Sequence, residues 1–187
     1  MHKTCDATTI DVLRRIVGMN VRRVYARRYP GYPAYSELVV LFAGELQARI
    51  DLDCVAVAPK FEVCVARLRL AELPDSMDEW DKFEFGDFIV AGVSVLRRQE
   101  WIGESSKGVK GPVGSHPLSQ TFATLDEEGG SGPALVDCGV CLRSSRGAEL
   151  IAEADTFPLV LQLRYLVVPS PLPDSTRIPI NEHQFPQ

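Results

Sequence analysis

The sequence predicts a mostly β (α+β) fold: curved antiparallel sheets built from two meanders of related pattern, with one or two short helices. Three observations carry that prediction. Leu46, Ala48, Ile50 and Leu52 alternate with Gln47, Arg49 and Asp51, and Leu159, Leu161, Leu163 and Tyr165 alternate with Val160, Gln162 and Arg164. This is the period of two that a half-buried strand requires. Glycine-containing turns separate such runs, as in Ala43–Gly44–Glu45 and Ser144 to Gly147. Helical spacing of apolar residues is confined to a short stretch near the start, and a second short helix is expected only at Ser76 to Asp81.

Taken in order, Thr8 or Thr9 is placed to cap a helix that runs to Val17, with Gly18 as its left-handed stop. Ile10, Leu13 and Val17, joined by Val12 and Ile16, form its buried stripe, and the helix is expected to lie as a lid on a sheet. Asn20 to Arg28 reads as a strand carrying arginines. Tyr29 to Tyr35, with Pro30 and Pro33, reads as an exposed aromatic loop. Glu37 to Phe42 and Leu46 to Leu52 form a hairpin. Phe61 to Leu70 is a third strand, expected inside the sheet because both of its faces are largely apolar near the centre.

Beyond an acidic, aromatic segment from Glu72 to Asp87, Phe88 to Val90 and Val93 to Trp101 read as strand, with Gly92 at a bend or bulge. Glu104 to Gly114 and Glu127 to Pro133 read as loops. Ala134 to Leu142, Glu149 to Ala154 and Leu159 to Val168 read as strands. The proline-rich tail, 169–187, is expected to run extended over the surface without regular structure. The whole chain, 1–187, is expected to form a single domain. Segments 20–70 and 134–168 both spell strand, glycine turn, Glu-Leu and a further strand, which fits either an internal repeat or the shared grammar of any antiparallel meander.

A chain of 187 residues buries an ordinary core without staples. No apolar run reaches the roughly 20 residues of a membrane-spanning helix, and Met1 to Asp6 opens no apolar signal region, so a soluble, cytoplasmic protein is expected. The odd set Cys5, Cys54, Cys64, Cys138 and Cys141 has no framework spacing, and free thiols are expected. A net charge of −5 argues against a nucleic-acid partner. That charge is uneven: Arg14, Arg15, Arg22, Arg23, Arg27 and Arg28 crowd the first part, and Glu72 to Asp87 is acidic, so folding either sets the two against each other or displays the acids to a basic partner.

Catalytic chemistry finds little support. Cys138–Gly139–Val140–Cys141 has redox spacing, yet it lies in a strand run. Residues three apart there point to opposite faces, so the thiols are expected to diverge as buried structural cysteines. Cys54 and Cys64 are too far apart in sequence for a zinc knuckle, and His2, His116 and His183 pair with no cysteine, so no metal or cofactor is expected. Ser115–His116–Pro117 forms no triad, and Gly129–Gly130–Ser131–Gly132 lacks the lysine of a phosphate loop.

The reading therefore falls on surfaces. Asp75, Asp78, Glu79, Asp81 and Glu84 around Trp80 could dock on a basic protein with Trp80 as anchor; a solvated acidic helix with an inward tryptophan fits the same residues. Tyr32 and Tyr35, beside Tyr29, offer a second contact loop or pack on the sheet edge. Val17–Gly18–Met19–Asn20–Val21–Arg22–Arg23–Val24–Tyr25, the strand–Gly–Glu-Leu pattern and Arg97–Arg98–Gln99–Glu100–Trp101 before a long loop span most of the chain. In that layout the sequence resembles the small immunity proteins that bacteria encode beside polymorphic or type VI-delivered toxins. The resemblance implies a non-catalytic protein that binds and blocks a cognate toxin, with no site residue carried over. A self-associating scaffold or homo-oligomer, and a small hydrolase or ligand-binding barrel with a deep apolar pocket, are the alternatives.

Overall fold

The computed structural model describes residues 2–3, 6–58, 61–72, 74, 76–102, 132–155, 160–172 and 175–180. In chain order the elements are β1 (His2–Lys3), α1 (Ala7–Arg15), β2 (Asn20–Arg28), β3 (Tyr35–Phe42), β4 (Gln47–Ala58), β5 (Phe61–Leu70), β6 (Asp81–Ile102), β7 (Gly132–Ser144), β8 (Glu149–Asp155), β9 (Val160–Leu166) and β10 (Thr176–Pro179). The fold is mostly β with this one helix among the described residues, as the alternation requires. The loop expected at Glu104 to Gly114, most of that at Glu127 to Pro133, and Ser115–His116–Pro117 lie outside them.

Backbone ladders join the strands into a closed circuit, β2–β3–β9–β8–β7–β6 and back to β2, with β3 meeting β9 at the pairing of Tyr35 with Leu161. The length of β6 closes it. Its first part, Asp81 to Ile89, pairs with β2, and from Val90 onward it pairs with β7. A register shift between Val90 and Gly92 marks the change, where the sequence placed a bend. The extra residue of a bulge increases local twist, and that turns the second half toward β7. Along the other edge of β6 the cover passes from β2 to Gly18 and Met19 at Val90, and then to β10 at Ser94 to Arg97.

Val24, Leu38, Val40, Ile50, Val140, Leu142, Leu150, Ala152 and Leu163 meet inside and leave a void of only about 10 Å³. Side chains fill the centre, as in other small closed sheets. The deep apolar pocket of a ligand-binding barrel is not found there. Beyond the circuit, Leu96, Cys138, Cys141 and Ile151 form a second buried cluster, with Leu166 and Leu172 packed against it.

Several expectations shift. The N-cap of α1 is Asp6, whose Oδ1 accepts from the Thr9 N–H at 2.8 Å, because a carboxylate one turn ahead reaches that amide and the Thr9 hydroxyl is engaged elsewhere. The helix ends at Ile16, and Gly18 takes its left-handed conformation (φ 84°) two residues later. Val17 is consequently exposed instead of completing the buried stripe. Met77 to Trp80 makes a turn closed by the Trp80 N–H on Met77 O, not a helix. Gly132 and Pro133 belong to β7 instead of a loop. In the tail, Thr176–Pro179 forms an edge strand, which tolerates a proline at its end because only one of its sides is paired.

Among the described residues the third strand, β5, pairs only with β4 and is therefore a ladder edge, not an interior strand. Cys64, Val65, Ala66 and Leu68 are nonetheless buried, with α1, β7 and β8 lying close to the strand. The Leu68 N–H donates to Thr9 Oγ1 at 3.2 Å in the buried interior, and Arg67 reaches Asp6 at 3.3 Å. A helix that satisfies an edge amide removes a template for unwanted pairing. Thr9→Val keeps the shape of the side chain but strands that amide. The expected result is a loss of about 1–3 kcal/mol, read as a lower urea midpoint at unchanged slope; an unchanged midpoint would remove the hydroxyl from the account.

Candidate functional site

A groove of about 710 Å³ opens on the exterior between the first half of β6, the β7–β8 hairpin and the end of β9. Its construction begins with a break in alternation. Val21 pairs with Phe88 and Arg23 with Glu84, so the three residues Phe85, Gly86 and Asp87 stand opposite Arg22 alone. That irregularity lets Phe85 and Phe88, which regular pleating would send to opposite faces, pack edge-on with centroids 5.8 Å apart. Tyr165 of β9 completes the cluster, 5.4 Å from Phe85 and 6.3 Å from Phe88. Phe83 sits on the same wall and meets the Tyr35 ring at 6.3 Å.

Charges rim this aromatic floor. Arg146, on the β7–β8 turn, bonds Asp87 at 3.0 Å, and Glu84 takes both Arg23 at 2.8 Å and Lys82 at 2.9 Å. The hydrogen bonds from Lys82 and then Arg23 hold the Glu84 carboxyl below its ordinary range, so this part of the rim stays ionised. Tyr165 is 50% exposed, and Val167 and Val168 just beyond it are 70% and 73% exposed. A large aromatic side chain left half-open in a groove suits contact with a partner.

The residues singled out from sequence divide between this region and its neighbourhood. Asp81 opens β6 and is bonded by Arg28 at 2.9 Å and by the Tyr35 hydroxyl, which donates at 3.2 Å. Burial, followed by the Asp81 charge, raises the Tyr35 phenol above its usual value, so it remains a donor. Two acids of the run, Asp81 and Glu84, are thus paired with arginines of β2, while Asp87 bonds Arg146 of the β7–β8 turn. Asp78 and Glu79 are exposed on the turn before β6, Trp80 is half-buried, and Asp75 lies outside the described residues. Tyr32 is exposed on its loop, edge-on to Tyr29 at 5.6 Å, whereas Tyr35 belongs to β3. Sequence reading noted the phenylalanines but missed their union with Tyr165. The alternation of Phe83 and Phe85 was the available signal, and nothing local announced a partner some eighty residues away.

The cysteines also differ from expectation. Leu96 pairs with Gly139 but Arg97 with Asp137, which makes Cys138 the extra residue of a bulge. The bulge resets the alternation, so Cys138 and Cys141 join one buried cluster instead of diverging. Desolvation pushes both thiols up, Cys141 to about 11 and Cys138 further. Thiols so raised are poor nucleophiles. Iodoacetamide at neutral pH is expected to label exposed Cys54 in the folded protein and to leave Cys138 and Cys141 unmodified until denaturant is added; mass-mapped labelling of Cys138 in the native state would contradict this burial.

A second, more polar cavity of about 280 Å³ is lined by Arg98, Glu153, Asp155, Gln162, Arg164 and Ser175. Its charges answer one another, with Glu153 held by Arg164 and lying 3.9 Å from Arg98. Among the described residues no group of three or more His, Cys, Asp or Glu is placed to hold a metal ion, and no helix is long and apolar enough to cross a membrane. The chain matches no known protein family, no curated protein and no solved structure.

Proposed function

We propose that this chain is a non-catalytic cytoplasmic binding protein that neutralises a cognate bacterial toxin by direct contact, and that the groove floored by Phe83, Phe85, Phe88 and Tyr165 seats the toxin. The single observation that carries the binding reading is this aromatic floor, half-open at Tyr165 and ringed by Lys82, Glu84, Asp87 and Arg146. Aromatic anchors within a charged rim are the usual anatomy of a protein interface. The toxin as occupant rests on the sequence layout described above. Exposed Asp78 and Glu79 before β6 and the net charge of −5 favour a partner that presents an apolar side chain flanked by basic residues.

The test is co-expression with the product of the adjacent reading frame. Protection from that product, and a stable complex with it, should both require this chain. Tyr165→Glu places a charge on the floor and gives up the ring contacts with Phe85 and Phe88. It is expected to cost about 2 kcal/mol of binding or more, roughly 30-fold in affinity, with the fold retained and the thermal midpoint lowered by only a few degrees. Survival that is unaffected by deleting this gene beside an active toxin would refute the toxin reading. A defined oligomer of this chain alone, dissolved by Tyr165→Glu in light scattering, would instead make a second copy the occupant.

A further inference from the structure

Away from the groove, the β4–β5 ribbon holds two thiols in register. Cys54 pairs directly with Cys64 in the ladder, and their sulfurs are 3.8 Å apart. The pairing runs from Ala48 with Leu70 to Val55 with Val63 without a shift, and Arg67 bonds Asp53 at 3.1 Å beside the two cysteines. Directly opposed residues of an antiparallel ladder stand roughly 4.5–5.5 Å apart at Cα. That lies inside the range of about 4.4–6.8 Å that a disulfide spans. Cys54 is exposed and Cys64 is buried, so one sulfur meets solvent and the other waits behind it.

We infer that Cys54 and Cys64 form a thiol–disulfide exchange site whose substrate is a small-molecule disulfide of the glutathione class. The Cys54 thiolate attacks one sulfur of the disulfide, forms a mixed disulfide and expels one thiolate, which takes up a proton. The Cys64 thiolate then attacks Cys54 Sγ, closes the cross-strand bond and expels the second thiolate. In sum, two protein thiols are oxidised to one disulfide, and one external disulfide is reduced to two thiols. The closed form staples β4 to β5 without moving the backbone. The Cys138 and Cys141 thiols, both buried, do not take part.

Reduced full-length protein, dilute enough to disfavour contacts between chains, is treated with oxidised glutathione and followed by intact mass and non-reducing peptide mapping. The expected product has lost the mass of two hydrogen atoms, joins the Cys54 and Cys64 peptides and returns to the start under excess reduced glutathione. Cys64→Ser should stop at a single glutathionyl adduct on Cys54. The inference is overturned if the unsubstituted protein stays unchanged, accumulates the adduct without closing, bridges two chains or links either cysteine elsewhere.

Discussion

Gly139→Ala is expected to lower the stability of the fold by about 3 kcal/mol, at the upper end of what overpacking costs, and Gly139→Val by more. A Cβ built on Gly139 would lie 2.9 Å from Glu153 Cα and 3.2 Å from Leu96 Cδ1, and would press still closer on the Ala152 carbonyl oxygen. The leucine tip can turn aside, but the other two neighbours are β8 backbone. Relief then means parting the β7–β8 ladder, in which Gly139 pairs with Glu153. The close approach comes from the bulge at Cys138, so the glycine and the bulge are one device. Gly86→Ala is the control, since a Cβ there meets nothing within 4 Å. Equal denaturation midpoints for the two variants would show that the strands yield more easily than their spacing implies.

Asp137→Ala is expected to cost roughly 3–5 kcal/mol, the penalty for leaving a buried charge alone. Asp137 is fully buried, and the Arg97 side chain directly opposite it in the ladder is 13% exposed. Two near-parallel hydrogen bonds join them, Nε to Oδ1 at 2.7 Å and Nη2 to Oδ2 at 3.3 Å. Deleting the carboxylate strands a guanidinium that cannot shed its proton. Replacing both partners, as in Arg97→Met with Asp137→Leu, removes the stranded charge and should restore most of the loss. The comparison is made by chemical denaturation of the two single variants and the double variant. If the double variant is no more stable than Asp137→Ala, the deficit lies in packing around Asp137 and not in the abandoned charge.

Local chemistry was legible wherever a segment's own pattern set its structure. Phe61–Leu70 and Asn20–Arg28 form strands with the boundaries read from sequence, and the Gly92 bend falls at the register shift in β6. The separation of an arginine run from an acidic run was also visible, and β2 against β6 joins them at Arg23–Glu84 and Arg28–Asp81. Bulges were not legible. Each adds one or more residues to one strand relative to its partner, so it is a property of a pair, and it breaks the alternation of side-chain directions. That break misled the reading of Cys138 and Cys141. It also hid the way Phe85 and Phe88 come to share one wall of the groove.

What the amino-acid order determined by itself was the mostly β class, most of the strand segments and the separation of charge into a basic and an acidic stretch, because side-chain period and turn chemistry act over a few residues. Only the tertiary structure decided which edges met: that β6 closes a circuit between β2 and β7, that Tyr165 completes the aromatic floor, and that Cys54 faces Cys64. The physical reason is that a strand's ladder hydrogen bonds are made with other strands. Its partners are selected by the packing of the whole chain and are not encoded in the segment that carries it.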